Sequence, residues 1–73
     1  MRGTAMNNLK LFKVLSDKSR LLILNSLLEE AMVVERLASR LGLATSTVSF
    51  HLKKLEDVGL VTSEKDQYYK QYS

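Results

Sequence analysis

Apolar residues follow a helical spacing up to Val58 and a shorter period after Gly59. Residues three and four positions apart lie on one face of a helix, whereas alternation over a few residues is typical of a strand. The pattern therefore predicts a mainly α fold in which about four helices are followed by a two-stranded β-hairpin.

The first helix is predicted from about Asn8 to Leu15, with Asn7 or Asn8 at its N-cap. Ser16 is predicted to cap the second helix, whose apolar residues cover too much of its circumference for a surface helix. We therefore expect it to be the central core helix; its apolar residues are Leu21, Leu22, Ile23, Leu24, Leu27 and Leu28. Residues 31–33 suit a short extended link.

A third helix is predicted from Val34 to Leu41, and Gly42 follows where a left-handed residue commonly ends a helix. Thr45 or Ser46 is then expected to cap a fourth helix that lasts to about Val58.

Gly59 is expected to stop the fourth helix in the same way. Residues 60–63 are predicted to form a strand, residues 64–67 a polar turn, and residues 68–72 a returning strand.

Three residues give the third and fourth helices the layout of a helix-turn-helix. Ala38 is small enough for the helices to cross closely, Gly42 allows a sharp turn, and Val48 fills the angle between them. We therefore interpret the chain as a single winged helix-turn-helix domain over residues 1–73.

The fourth helix has one apolar and one polar side. Val48, Leu52 and Leu55 fall together at 100° per residue and are predicted to enter the core. The opposite side carries hydroxyls first and lysines later: Ser46, Ser49, Phe50, Lys53, Lys54 and Asp57. Hydroxyls suit hydrogen bonds to base edges or phosphates, lysines suit phosphate contacts, and Phe50 could lie against a thymine methyl group.

Composition narrows the function further. The 73 residues carry a mild net charge of +3, include no cysteine and are 45% hydrophobic, which excludes disulfides and disorder. No apolar run is long enough to cross a bilayer. No nucleophile–base pair, paired carboxylates or glycine-rich phosphate loop is present, so we expect neither an enzyme nor a bound cofactor.

Two runs are specific enough to indicate a family: Leu-Ser-Asp-x-x-Arg-x-x-Ile-Leu from residue 15 and Ser-Thr-Val-Ser-x-His-Leu-x-x-Leu from residue 46. With these runs, residues 12–73 resemble an ArsR-type (arsenic-repressor-like) winged helix-turn-helix transcriptional regulator. The resemblance implies a homodimer that represses transcription from a palindromic operator until an effector releases it. The absence of cysteine suits a reducing cytoplasm, where we expect the protein to act. We expect the first helix to contribute the dimer contact, because its apolar residues exceed what one core face needs.

The resemblance also implies which residues contact DNA. The predicted contacts are Thr45, Ser46, Thr47, Ser49 and Phe50, with His51, Lys53 and Lys54 of second rank and Lys65 at the tip of the wing.

Three features depart from the family pattern. Val33 and Glu35 stand where metal-sensing members carry cysteines, which excludes thiolate metal sensing there. Asp66 or Gln67 must make a wing turn that usually contains glycine. The family also continues into a further helix, which implies that this chain is cut from, or fused within, a longer protein.

Other roles compete with DNA contact at several positions. His51 borders the core and suits packing better than metal ligation, the hydroxyls could simply cap the helix, and Lys53 and Lys54 could be a solvated face. The alternative function for the whole domain is a winged-helix module for protein–protein contact.

Overall fold

The computed structural model describes the backbone of residues 2–65 and 69–73 and the side chains from residue 8 onward within those ranges. Its elements are α1 (Arg2–Leu15), α2 (Lys18–Glu29), β1 (Met32–Val33), α3 (Val34–Leu41), α4 (Thr45–Asp57), β2 (Ser63–Lys65) and β3 (Lys70–Tyr72). The predicted order of four helices followed by a hairpin is confirmed.

The start of α2 differs from the prediction by one residue. Asp17, not Ser16, is the N-cap, and its carboxylate accepts a hydrogen bond from the Arg20 backbone N–H at 3.1 Å. The Ser16 hydroxyl instead donates to the Lys13 carbonyl at 2.7 Å and so completes the end of α1. Helix α1 itself begins at Arg2, ahead of the predicted cap at Asn7 or Asn8.

The joint between α3 and α4 forms as predicted. Gly42 adopts φ 68°, and its N–H donates to the Ala38 carbonyl. Leu43 N–H donates to the same carbonyl at 3.0 Å, so the end of α3 is closed by two bonds to one acceptor. The predicted cap of α4 was wrong, because Ala44 occupies the N-cap and no side chain bonds there.

The core lies where α2, α3 and α4 meet. Ile23, Leu37, Val48, Leu52 and Leu55 are each 0% exposed. Burial of such side chains contributes roughly 1.5–3 kcal/mol each, which makes this cluster the main source of stability. The prediction that Val48, Leu52 and Leu55 of α4 enter the core is therefore confirmed.

The sheet has one strand more than predicted. Its order is β1-β3-β2, with Met32 opposite Tyr72 and Lys65 opposite Lys70. The hairpin of β2 and β3, here called the wing, is therefore joined to the start of α3 through β1.

The predicted strand over residues 60–63 was placed too early. Leu60 belongs to the turn that ends α4, since its N–H donates to the Leu55 carbonyl at 3.0 Å, and Gly59 there has φ 79°. The predicted turn at Asp66 and Gln67, and Tyr68 after it, lie outside the described residues.

Candidate nucleic-acid interface

One side of α4 faces solvent along the whole helix. Seven residues of α4 are exposed, and the last of them is the acidic Asp57 at the end of the helix. The other six are called the outward face below: Thr45, Ser46, Ser49, Phe50, Lys53 and Lys54. Phe50 is 54% exposed, whereas its neighbours Val48 and Leu52 are 0% exposed. Because one side of α4 is fixed in the core, the opposite side of the helix points in a defined direction.

The hydroxyls at the start of α4 are free for other partners. Thr45, Ser46 and Ser49 are exposed and Thr47 is half-buried, and no side-chain cap forms at this helix. Within residues 8–65 and 69–73, none of these hydroxyls has a hydrogen-bond partner in the protein. The capping alternative is therefore not what these side chains do.

The cations of α3 and α4 differ in their pairing. On α3, Arg40 Nη2 lies 2.6 Å from Glu29 Oε1, and Arg36 Nη2 lies 3.8 Å from Glu30 Oε1. Among the described residues, Lys53 and Lys54 form no ion pair. Positive charge on the outward face of α4 is thus available to an external anion.

The exposed ring of Phe50 is bracketed by cations. Lys54 Nζ lies 5.3 Å from its centroid and the Arg20 guanidinium carbon lies 6.0 Å away. The His51 ring meets it edge-on, at 5.5 Å and 66°. Such contacts are worth about 0.5–1 kcal/mol each at an exposed site, enough to favour one ring orientation.

His51 lies at the edge of the core and is 8% exposed. Its Nδ1 accepts a hydrogen bond from Arg20 Nε at 3.0 Å. This arrangement favours the packing role for His51 over the direct DNA contact that was predicted, because little of the ring is accessible.

Arg20 is a residue near the site that sequence reasoning did not select. The backbone N–H of Arg20 donates a hydrogen bond to the carboxylate of Asp17, which caps α2. This hydrogen bond is the main cause that lowers the pKa of the Asp17 carboxyl. The available signal was the Asp17-x-x-Arg20 spacing within the family run.

The wing supplies a second set of cations. Lys65 is exposed on β2 and pairs with Lys70 at the end of the ladder next to residues 66–68. Lys70 Nζ lies 5.4 Å from the Tyr72 ring centroid. Sequence reasoning selected Lys65 but not Lys70, although a lysine between tyrosines in a returning strand was a usable signal.

A groove separates the start of α4 from β3. It encloses about 430 Å³, and its lining includes Glu35, Thr45, Ser49, Tyr69 and Lys70. The groove therefore brings hydroxyls of α4 close to a cation of the wing.

Other classes of site find no support in the part of the chain that the structure describes. No cluster of three or more acidic or histidine side chains could hold a metal ion there. No described helix is both long enough and apolar enough to cross a membrane.

Comparison with known proteins identifies relatives over this same region. Residues 17–63 match the family described as bacterial regulatory protein, arsR family. The nodulation protein NolR of Rhizobium meliloti is 42% identical over 59 residues, which are 81% of this chain and 48% of that protein. The chain spans about half the length of the curated relatives it matches.

Solved structures agree in fold. The crystal structure of NolR from Sinorhizobium fredii is 36% identical, with a TM-score of 0.88 over 99% of this chain and 72% of that one. A homodimeric winged helix-turn-helix DNA-binding domain of Mb0332 from Mycobacterium bovis, a possible ArsR-family transcriptional regulator, is 27% identical, with a TM-score of 0.91 over 97% of this chain and 66% of that one.

Proposed function

The chain belongs to the ArsR family of bacterial regulatory proteins, and from that premise we propose that it binds double-stranded DNA sequence-specifically, with α4 in the major groove. In this proposal residues 1–73 act as one DNA-binding domain. The observation that carries the proposal is the two-sided burial of α4, whose inner side is closed while its outward face is open and unpaired.

Each group on the outward face matches a chemical feature of DNA. The hydroxyls of Thr45, Ser46 and Ser49 can exchange hydrogen bonds with base edges or phosphates near the start of the helix. The oriented Phe50 ring offers apolar contact to a thymine methyl group. Lys53 and Lys54 extend towards phosphates, whose neutralisation releases counterions.

The wing adds a backbone contact in this proposal. Lys65 and Lys70 lie opposite each other at the end of the hairpin, and the groove beside them leads to the hydroxyls of α4. A phosphate strand that follows this groove meets Lys70 from the wing and a hydroxyl from α4, while the exposed Glu35 carboxylate restricts how deeply the phosphates enter. Thr47 is half-buried and contributes the exposed part of its side chain to the DNA contact. His51 is 8% exposed and supports the outward face from the core side.

A dimer on a palindromic operator completes the proposal. Leu9 and Phe12 on α1 are 64% and 69% exposed, which is an apolar surplus that a symmetry mate would cover. The related Mb0332 domain is described as homodimeric. Two-fold symmetry would present two copies of α4 to related half-sites, and binding there would repress transcription.

A duplex titration at two salt concentrations tests the proposal. We expect Lys53→Ala with Lys54→Ala to weaken binding to all duplexes alike and to lower the slope of log affinity against log salt by about 2, one unit for each lost phosphate contact. The matched control, Lys10→Ala with Lys13→Ala, removes the same charge from exposed positions of α1.

The control variant is expected to keep the wild-type slope. Equal losses in the two double variants would show that charge alone, and not the outward face, drives binding. Absence of duplex binding by the wild-type protein would instead favour a protein–protein module.

A further inference from the structure

The Arg20 side chain connects three helices behind the outward face of α4. Its Nε donates to His51 Nδ1 on α4 at 3.0 Å, and its Nη1 donates to the Val14 carbonyl at the end of α1 at 3.3 Å. Its backbone N–H holds the Asp17 cap of α2, and its guanidinium carbon lies 6.0 Å from the Phe50 centroid. One cation therefore links the helix with exposed apolar residues to the helix that would read DNA.

We infer that Arg20 is a positioning residue for DNA recognition, which orients Phe50 and the middle of α4 through a hydrogen bond that only neutral His51 can accept. The inference rests on the proposed function, since it assigns a role within the same interface. It predicts that sequence discrimination, and not merely affinity, depends on the protonation state of His51.

The hydrogen bond from Arg20 requires a neutral His51. An imidazole nitrogen accepts a hydrogen bond only when it carries no proton, and both nitrogens are donors in the charged form. With Arg20 Nε as the donor, the proton of neutral His51 resides on Nε2. Protonation at Nδ1 would replace the acceptor with a second donor and separate the two side chains.

The charged groups around His51 favour this outcome. Arg20 and Asp17 face it from α2, Lys54 lies on its own helix near the Phe50 ring, and the Val14 carbonyl of α1 accepts a hydrogen bond from Arg20. A charged His51 would stand beside two cations and one carboxylate. Arg20 would lose its link to α4, and the Phe50 ring would lose one of its two bracketing cations.

The chain offers a clean test because His51 is its only histidine. Histidine is the side chain that ordinarily changes charge between pH 5 and 8. The quantity to measure is the ratio of affinities for a duplex selected by the wild-type protein and for a scrambled duplex, at pH 7.5 and at a lower pH where nitrogen-15 NMR shows His51 to be charged. A ratio is informative here because added positive charge raises binding to both duplexes alike.

We expect the wild-type ratio to fall about tenfold at the lower pH, the order of one base contact. An unchanged wild-type ratio at a pH where His51 is charged would overturn the inference. The variant His51→Gln retains an acceptor without a titrating group, and we expect it to hold its ratio at both pH values. Arg20→Gln is expected to give the low ratio at both. A parallel fall in the wild type and in His51→Gln, or an unchanged ratio in Arg20→Gln, would overturn the inference.

Nitrogen-15 NMR of the free wild-type protein tests the same inference without DNA. We expect an Nε2–H tautomer for His51 at pH 7.5, with the Phe50 ring resonances shifting at the pH where His51 becomes charged. An Nδ1–H tautomer, or Phe50 resonances that ignore this transition, would overturn it. Failure of the proposed function would appear differently, as absence of duplex binding at either pH while the NMR expectation is met.

Discussion

The two helices of the helix-turn-helix, α3 and α4, both bury an apolar side and expose cations, but they differ in what those cations contact. Arg36 and Arg40 on α3 are paired with Glu30 and Glu29, which follow one another at the end of α2. Among the described residues, Lys53 and Lys54 on α4 have no such partner. The net charge of +3 conceals this difference between the two helices.

The difference indicates which helix can accept a polyanion. An ion-paired arginine must give up its carboxylate before it can bind phosphate, and the carboxylate would then repel the phosphate. An unpaired lysine gains a contact without that loss.

The largest effect should be the difference in stability between substitutions on the two sides of α4. Leu52→Ala removes a side chain that is 0% exposed, and we expect a loss of about 2–5 kcal/mol in the free energy of unfolding. Phe50→Ala, two residues earlier and 54% exposed, should lower that free energy by at most about 1–2 kcal/mol, because only its two cation contacts at the surface are lost. Urea unfolding followed by circular dichroism measures both; similar losses would mean that Phe50 belongs to the core.

The joint between α3 and α4 should be the next most sensitive position. Gly42 has φ 68° with open space around it, so Gly42→Ala adds backbone strain without a clash. We expect a loss of about 1–2 kcal/mol in the free energy of unfolding. Ser39→Ala, at an exposed position inside α3, is the control and should be close to neutral in the same melts. A stable Gly42→Ala variant would contradict the left-handed turn.

A serine on each helix offers a matched pair for DNA recognition. We expect Ser49→Ala to lower the preference for a selected duplex over a scrambled one by about fivefold, because a hydroxyl contact near a base edge is lost. Ser39→Ala should leave the preference unchanged, since that serine lies on α3. Fluorescence anisotropy with both duplexes gives the two ratios, and equal effects would remove the distinction between the helices.

Freeing the arginines of α3 should have the smallest effect. Glu29→Gln with Glu30→Gln removes both carboxylate partners, and we expect at most about 1 kcal/mol of lost stability for each exposed pair. Affinity for a scrambled duplex should rise less than about threefold, since α3 does not enter the major groove of DNA in the proposed arrangement. A large rise in both affinity and salt slope would place the arginines of α3 against DNA.

Periodicity made the helix faces predictable. Val48, Leu52 and Leu55 share one side of a helix whatever the rest of the chain does, so both the core and the outward face followed from spacing. Helix ends were less predictable because adjacent residues can serve the same purpose. Ser16 and Asp17 can both cap a helix, and only the structure separates their roles.

Contacts between residues that are far apart along the chain could not be predicted from the sequence. The two-residue strand β1 exists because Met32 and Val33 pair with Tyr72 and Gln71, and two residues have no periodicity of their own. Arg20 and His51 are 31 positions apart, so no local pattern brings them together. The outward face of α4 was therefore predictable, whereas the hydrogen bond from Arg20 to His51 behind it was not.

The most direct test of the central claim is a map of backbone amide resonances during titration with a selected duplex. We expect the largest changes on residues 45–54 and on the wing at Lys65 and Lys70, while the exposed positions of α3 change little. Changes confined to α1 and α3, with the resonances of α4 unmoved, would contradict it.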